Sequence, residues 1–344
     1  MKSLIKGLMV TTLAFSSFSY AEKTVLNVYA WGGYLPEASL KAFEKQQNVV
    51  INYTTFENNE SMYTKLKLVK GGGYDVVFAS AYFIDKMARE GLLSELDHKQ
   101  IPNMQDTMDG LLGQAHDSQN RYSLPYIWGV TGISYNQQMV DVPITRWADL
   151  WDVKYAQQVM LIDDIRDVFG MALKLKGFSI NSQNEDEIKA AYDSLVDLQE
   201  NVLLYNSDAP QMPFLSGDAV VGMQWNGNAY QGQVEMAELQ FVMPQEGAIL
   251  WMDNFTIPSG SKNKALAHQF INFMYQADNQ AEIVKSLGYA SATKAGRALL
   301  PDALKNNPTI FPAEQDVKNG EFINDVGPQA LAIYEKYWQR LRTQ

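Results

Sequence analysis

The N-terminal third of the chain alternates between strand-like and helix-like segments. The strand-like runs cover 25–30, 49–56 and 74–78, and the helical runs that follow them cover 37–46, 60–70 and 84–90. Asn58 or Asn59 is positioned to cap the second helix, and three consecutive glycines, 71–73, end it. This order is typical of a sheet with parallel strands and helices on its faces. We therefore expect an α/β fold.

The alternation continues through the rest of the chain. Further strand-like segments cover 132–136, 159–162, 203–205, 220–225, 248–253 and 255–258, with a loop expected at 226–227. Further helices are expected from about Asp167 and over 185–199, 264–275, 279–287 and 328–342. A chain of 344 residues is long enough for two domains of ordinary size. Two α/β lobes with a cleft between them fit this length better than one very large sheet.

The composition excludes several classes of function. The chain has 28 Lys and Arg against 39 Asp and Glu, a net charge of -11, which argues against nucleic-acid binding. The absence of cysteine excludes disulfides, iron–sulfur clusters and thiol catalysis. The three scattered histidines and the absence of a G-x-S-x-G elbow or phosphate-binding glycine loop argue against metal and hydrolase chemistry. We expect neither an enzyme nor a bound cofactor.

The first 21 residues have the pattern of a secretory signal peptide. Lys2 and Lys6 precede a short apolar run, 8–15, and a small-x-small motif ends at Ala21. The run is shorter than the roughly 20 residues that span a bilayer. No cysteine follows for lipid attachment, and no later segment is apolar enough to span a membrane. We predict cleavage after Ala21 and export to a bacterial periplasm.

The loops that follow the strands combine aromatic rings with carboxylates. In a parallel sheet, ligands bind beyond the carboxyl ends of the strands. Flat aromatic faces attract cations and cover methylene chains, and carboxylates form charge-assisted bonds to ammonium groups. Such a site suits a flexible, multiply charged cation with aliphatic spacers, such as a linear polyamine. The residues concerned are Trp31, Tyr34, Tyr82, Trp225 and Trp251, with Asp164, Asp167 and Asp253.

Other interpretations of these residues stay open at this stage. Each aromatic residue could belong to the core, and Asp163, Asp164 and Asp253 could cap helices or lie in solvated turns. A sugar site also stacks rings on Trp and binds hydroxyls with Asp, and Asn226 and Asn254 would suit it. A ferric-ion receptor of similar fold is less well supported, because the chain offers no adjacent tyrosine pair to chelate iron.

Eight segments of the chain, taken in order, resemble the bacterial periplasmic polyamine-binding proteins. These proteins are the spermidine/putrescine-binding subunits of ATP-driven (ABC) importers. The resemblance covers nearly all of the chain after residue 21. The segments that carry it are 29–34 (YAWGGY), 57–63 (ENNESMY), 74–77 (YDVV), 85–87 (DKM), 122–129 (YSLPYIWG), 147–151 (WADLW), 222–227 (GMQWNG) and 251–253 (WMD).

The resemblance implies a two-lobed periplasmic solute-binding fold (type II), with hinge crossovers and a ligand cleft between the lobes. One lobe would comprise 22–134 plus about 255–300, and the other about 135–254 plus 301–344. Such a protein would act as a monomer and deliver its ligand to an inner-membrane ABC permease, or signal as a sensor subunit to a membrane receptor. The implied ligand-binding residues are Trp31, Tyr34, Tyr82, Asp164, Asp167, Ser207, Trp225, Trp251 and Asp253.

The chain departs from the family at four positions that concern ligand choice. Gly32 and Gly33 stand where a spermidine-binding relative has a hydroxyl residue and an acid, Asp167 stands in place of Glu, and Ile323 in place of an amide. Losing partners of a buried ammonium group costs about 1–3 kcal/mol per group. We therefore expect polyamine binding with an altered length preference, for norspermidine or spermidine over putrescine.

Overall fold

The structure is a computed structural model that describes residues 23–343. The predicted signal peptide, 1–21, lies outside the described residues. Among residues 23–343, helices are too short or too polar to cross a bilayer. The chain forms the mixed α/β fold expected from the sequence.

Eleven strands and thirteen α-helices alternate along the described chain. The strands are β1 Val25–Trp31, β2 Val50–Phe56, β3 Val76–Ser80, β4 Ser123–Asn136, β5 Val159–Leu161, β6 Val202–Tyr205, β7 Val221–Trp225, β8 Leu239–Val242, β9 Ile249–Thr256, β10 Ala290–Ser291 and β11 Glu321–Phe322. The helices are α1 Glu37–Gln47, α2 Asn59–Leu68, α3 Ala81–Arg89, α4 Ile165–Leu175, α5 Glu185–Leu198, α6 Met212–Leu215, α7 Asn226–Glu235, α8 Lys264–Met274, α9 Ala277–Leu287, α10 Lys294–Ala298, α11 Asp302–Lys305, α12 Glu314–Val317 and α13 Gly327–Arg342.

The eleven described strands join into one sheet, in which eight follow the order β2-β1-β3-β9-β4-β7-β5-β6, while β8 and β10 pair with β4 and β11 pairs with β9. Strands β1, β2 and β3 are parallel at one end, and β5, β6 and β7 are parallel at the other. We call the part built on β1–β3 the first lobe and the part built on β5–β7 the second lobe. The two-lobed fold expected from the resemblance is therefore confirmed, while the residue boundaries of the lobes stay a prediction.

Two long antiparallel strands, β4 and β9, connect the lobes. They pair along eight residues of each strand, from Ser123 opposite Thr256 to Thr131 opposite Ile249. Strand β3 of the first lobe pairs with one end of β9, and β7 of the second lobe pairs with the far end of β4. The chain thus passes between the lobes more than once, and the cleft lies beside these strands.

Helix caps and aromatic packing position the elements around the cleft. The Asn58 side chain caps α2 by accepting a 2.9 Å hydrogen bond from the Ser61 amide. Below the first lobe's loops, the buried ring of Tyr126 packs edge-on against Phe78 and Phe255, with ring centroids 4.8 and 4.9 Å apart. The Tyr126 hydroxyl donates a 2.7 Å hydrogen bond to the Tyr34 carbonyl. This core cluster therefore holds the loop after β1 in place.

The structure differs from the sequence expectations at several elements. The predicted strand at 132–136 is the end of a strand that begins at Ser123, the strand predicted at 74–78 covers 76–80, and the segments predicted at 248–253 and 255–258 form one strand. The expected loop at 226–227 is instead the start of α7. The reason is tertiary, because the Asn226 carboxamide accepts a bond from the Val130 amide (3.1 Å) and donates to the Thr309 carbonyl (2.8 Å).

Candidate functional site

A cavity of about 770 Å³ lies between the two lobes. The structure brings together all nine residues that the sequence singled out, Trp31, Tyr34, Tyr82, Asp164, Asp167, Ser207, Trp225, Trp251 and Asp253, in its walls. In all, the described wall residues include six acids, three of them among these nine, and no Lys, Arg or His. The acids are Glu57, Asp163, Asp164, Asp167, Asp208 and Asp253. The cavity is therefore built to attract positive charge.

Asp253 supplies a buried carboxylate from β9, next to the first lobe. One of its oxygens accepts a hydrogen bond from the Tyr34 hydroxyl, and the other accepts one from the Ser80 hydroxyl at 2.5 Å. Burial raises the pKa of Asp253, and the bonds from Ser80 and Tyr34 oppose that rise. The carboxylate is fixed in orientation, and each oxygen keeps a lone pair for a further donor.

Asp164 and Asp167 supply a pair of carboxylates from the second lobe, of which Asp167 is buried and Asp164 is partly exposed. Asp164 caps α4, since its Oδ1 accepts bonds from the amides of Arg166 (2.8 Å) and Asp167 (3.1 Å). The Asp167 carboxylate accepts bonds from the Thr131 hydroxyl (2.7 Å) and the Trp225 indole (3.0 Å). The helix-cap interpretation of Asp164 is thus correct, and it coexists with a position in the cavity wall.

Burial also dominates the protonation of this acid pair. It raises the pKa of Asp167 to about 7, with the negative charge of Asp164 as the second cause. Burial likewise raises the pKa of Asp164. Two carboxylates that resist ionisation together favour a ligand that brings its own positive charge.

Indole rings form much of the remaining wall. Trp31 packs against Phe56 with ring centroids 4.7 Å apart, and Trp251 lies edge-on to Tyr289 at 5.1 Å. The Trp251 ring also lies directly over Gly129 of β4, where a Cβ atom would collide with it. This close approach explains a glycine inside a central strand. The half-buried indoles expose faces on which a cation or a methylene chain can lie.

Sequence reasoning missed several residues of this site. Tyr289 lines the cavity and donates a 2.6 Å hydrogen bond to Asn228, but it precedes a strand of only two residues that no sequence pattern marks. Ser80 was recognisable as a residue at a strand end, yet its bond to Asp253 was not. Asn59 links two wall residues of the first lobe, because its side chain donates hydrogen bonds to the hydroxyl groups of Ser80 (2.9 Å) and Tyr82 (3.1 Å).

Asn226 and Asn254, the two residues that would suit a sugar-binding site, do not line the cavity. Asn226 and Asn254 are fully buried in the core. Asn226 bonds to the backbone, as described above, and Asn254 donates to the Met252 carbonyl at 3.4 Å. The carboxamides that do line the wall include Asn228 and Gln231.

Three of the positions at which we expect the chain to differ from spermidine-binding relatives also lie in the wall. Gly32 and Gly33 line the cavity, and a Cβ atom at either position would meet open space. Ile323 lines it with an apolar side chain that is almost fully buried. Ser207 adds a buried hydroxyl that finds no hydrogen-bond partner within residues 23–343. Within the described residues, the wall therefore carries three buried polar groups with no protein partner, the Ser207 hydroxyl and the indole N–H groups of Trp31 and Trp251, together with several apolar or bare positions.

Comparison with known proteins places the chain in a family. The model of the bacterial extracellular solute-binding proteins matches residues 38–313. The spermidine/putrescine-binding periplasmic proteins of Salmonella typhimurium and Escherichia coli are each 40% identical over 331 residues, 96% of this chain and 95% of theirs. The solved TpPotD lipoprotein of Treponema pallidum is 31% identical, with a TM-score of 0.85 over 93% of this chain and 100% of that one. Such relatives are binding proteins, as expected, and not enzymes. The chain is thus a member of the bacterial extracellular solute-binding protein family.

Proposed function

We propose that this protein captures a polyamine in the cavity between its lobes and delivers it to an inner-membrane ABC permease. The observation that carries the proposal is a cavity wall with six acids, several indole rings and no described basic residue. Ammonium groups would bind Asp253 on one side and Asp164 and Asp167 on the other, and the indoles would cover the methylene chain. The names of the 40%-identical relatives support the same class of ligand.

The remaining site residues complete the proposed binding mode. Tyr34 would orient Asp253, and Tyr82 would close the wall on the first lobe. Ser207 would accept a hydrogen bond from an ammonium or amine group, which would supply its buried hydroxyl with a partner.

The proposed ligand is a triamine, spermidine or norspermidine, with putrescine bound more weakly. Gly32, Gly33 and Ile323 provide neither a carboxylate nor an amide at their part of the wall. A short diamine must satisfy both ammonium groups within its own length, whereas a longer chain can reach acids on both lobes. Each ammonium group left without a partner costs about 1–3 kcal/mol.

The proposal includes the location and the assembly of the protein. Cleavage after Ala21 would release a monomer into the periplasm, the compartment named for its relatives. The first lobe would comprise 22–134 plus about 255–300, and the second about 135–254 plus 301–344. Limited proteolysis followed by mass spectrometry would test these boundaries, because cleavage should concentrate in exposed connections between lobes.

The test of ligand class is calorimetric titration of the ligand-stripped mature protein. Putrescine, spermidine, norspermidine, spermine and a sugar panel would be compared at two salt concentrations. We expect tight triamine binding that is lost in Asp253→Asn and Trp251→Ala. Asp193→Asn, which removes a surface acid on α5, is the matched control and should bind normally. Heat from a sugar and none from any polyamine would refute the proposal.

A cellular assay distinguishes a role of the protein in transport from a role in sensing. A strain lacking the protein should lose uptake of labelled spermidine and regain it when the gene is restored. Normal uptake in the strain, combined with tight binding by the purified protein, would favour a sensor subunit instead.

A further inference from the structure

Two buried polar atoms beside the cavity lack partners, and they are chemically complementary. Within residues 23–343, Glu60 Oε1, an acceptor, and Arg166 Nε, a donor, make no hydrogen bond. Glu60 lies in the first turn of α2, which packs on β2 and α3 in the first lobe. Arg166 lies in the first turn of α4, which packs on α5 and α13 in the second lobe. Glu60 and Arg166 thus belong to different lobes, and the charge of Arg166 acts on the Glu60 carboxyl group.

Arg166 is held rigidly by the second lobe. It is 2% exposed, and its terminal nitrogens donate to the carbonyls of Asn324 (2.9 Å) and Ile180 (3.2 Å) and to the Asn181 side chain (3.0 Å). Its guanidinium carbon lies 5.6 Å from the centre of the Tyr82 ring, which belongs to the first lobe. The Nε–H group, on the one guanidinium nitrogen that makes no hydrogen bond within residues 23–343, is thus held in position at the lobe boundary.

Glu60 experiences the charges of three residues at two helices. Asp164 and Arg166 act on it from the start of α4, and Glu335 from α13. Burial, followed by the charge of Asp164, raises its pKa to about 7. Its carboxylate also acts on the Tyr82 hydroxyl, which lies in the cavity wall. A buried carboxylate oxygen without a donor is costly, so a movement that supplies one is favoured.

We propose that Glu60 is a positioning residue for ligand capture, and that it pairs with Arg166 Nε across the cleft when the lobes tighten around a ligand. In the absence of a ligand, the charge of Asp164 opposes the approach of Glu60. An ammonium group bound by Asp164 and Asp167 offsets that charge and lets the Glu60–Arg166 pair form. The inference rests on the proposed polyamine function, and it makes ligand occupancy the condition for full closure.

The test is stopped-flow measurement of spermidine binding and release by the full mature protein. We expect Glu60→Gln to release spermidine about tenfold faster, with an unchanged association rate, because it removes a contact made only after closure. The midpoint temperature of thermal unfolding without ligand should not fall, because the variant loses a buried carboxylate oxygen that has no hydrogen-bond partner. Lys41→Gln is the matched control. Lys41 forms an exposed 2.5 Å ion pair with Glu37 within α1, and removing such a pair changes rates by less than about threefold.

A double-mutant cycle identifies the partner. The effect of Glu60→Gln should disappear in an Arg166→Lys background, because lysine has no Nε–H at that position. The same tenfold effect in both backgrounds would overturn the pairing, and an unchanged release rate in Glu60→Gln alone would overturn the inference even if the Arg166 variant fails to fold. Failure of the wild-type protein to bind any polyamine would instead refute the proposed function.

Discussion

Polyamine binding should depend on pH through Asp167. Burial and the charge of Asp164 raise the pKa of this carboxyl to about 7, so a large share of the ligand-free protein carries a neutral Asp167 at neutral pH. An ammonium group binds the ionised form, and its charge returns the pKa towards the ordinary range. Binding therefore releases a proton, and affinity should fall as pH falls.

The magnitude follows from the fraction of Asp167 that is ionised. With a pKa of about 7, about nine tenths of the group is ionised at pH 8 and about one tenth at pH 6. The apparent Kd should therefore rise about tenfold over this range, a change of about 1.4 kcal/mol. The terminal primary ammonium groups resemble that of lysine and stay charged at these pH values.

Calorimetry in two buffers of different ionisation enthalpy measures the effect directly. At pH 7 we expect Asp167 to release about half a proton per ligand bound, and Glu60, whose pKa is also raised to about 7, to add to this release when it pairs with Arg166. Asp167→Asn should abolish most of the pH dependence, although its amide cannot accept bonds from both Thr131 and Trp225 and will cost affinity. The control variant Asp193→Asn should show the same pH dependence of polyamine affinity as the wild-type protein. An affinity that stays flat from pH 8 to pH 6, with no difference between buffers, would refute the reasoning.

Three further substitutions test parts of the same site. Thr131→Val removes a hydrogen bond that lowers the pKa of Asp167, so the pH midpoint of spermidine binding should move upwards in the same calorimetric series, and a downward shift would contradict the assignment. Gly129→Ala forces a methyl group against Trp251 and should lower the free energy of unfolding by about 1–3 kcal/mol in urea titrations; an unchanged midpoint would show that the ring has room to move. Ile323→Gln places an amide in the cavity wall and should reduce the ratio of spermidine affinity to putrescine affinity, as measured by competition titration. An increase in this ratio would disprove the prediction.

The sequence predicts the elements of this fold well where they depend on local chemistry. The cap by Asn58 and the helices near both ends of the chain follow from side-chain preferences and periodicity, which act over a few residues. The full length of β4 was not predicted, because its residues from Ser123 onwards are buried on both faces and show no alternation. The start of α7 at Asn226 depends on contacts with residues about 80 and 100 positions away.

The candidate site was predictable in kind and less so in detail. Residues at the ends of parallel strands converge, so Asp164 after β5 and Trp225 at the end of β7 could be placed together from sequence order. Asp253 instead lies inside β9, which pairs antiparallel with β3 and β4, so its place in the cleft depends on how the lobes are connected. Nor could Tyr289 be placed from sequence order, since its position depends on how α9 packs. The unpaired atoms of Glu60 and Arg166 could not be predicted either, because an unsatisfied hydrogen bond is a property of packed coordinates and not of residue type.

The shared strands β4 and β9 also have a thermodynamic consequence. The sheet of each lobe includes part of the same eight-residue pairing between β4 and β9. Neither lobe can therefore unfold without exposing backbone hydrogen bonds of the other. Unfolding should therefore be all-or-none across both lobes, with a single heat-capacity peak whose calorimetric and van't Hoff enthalpies agree.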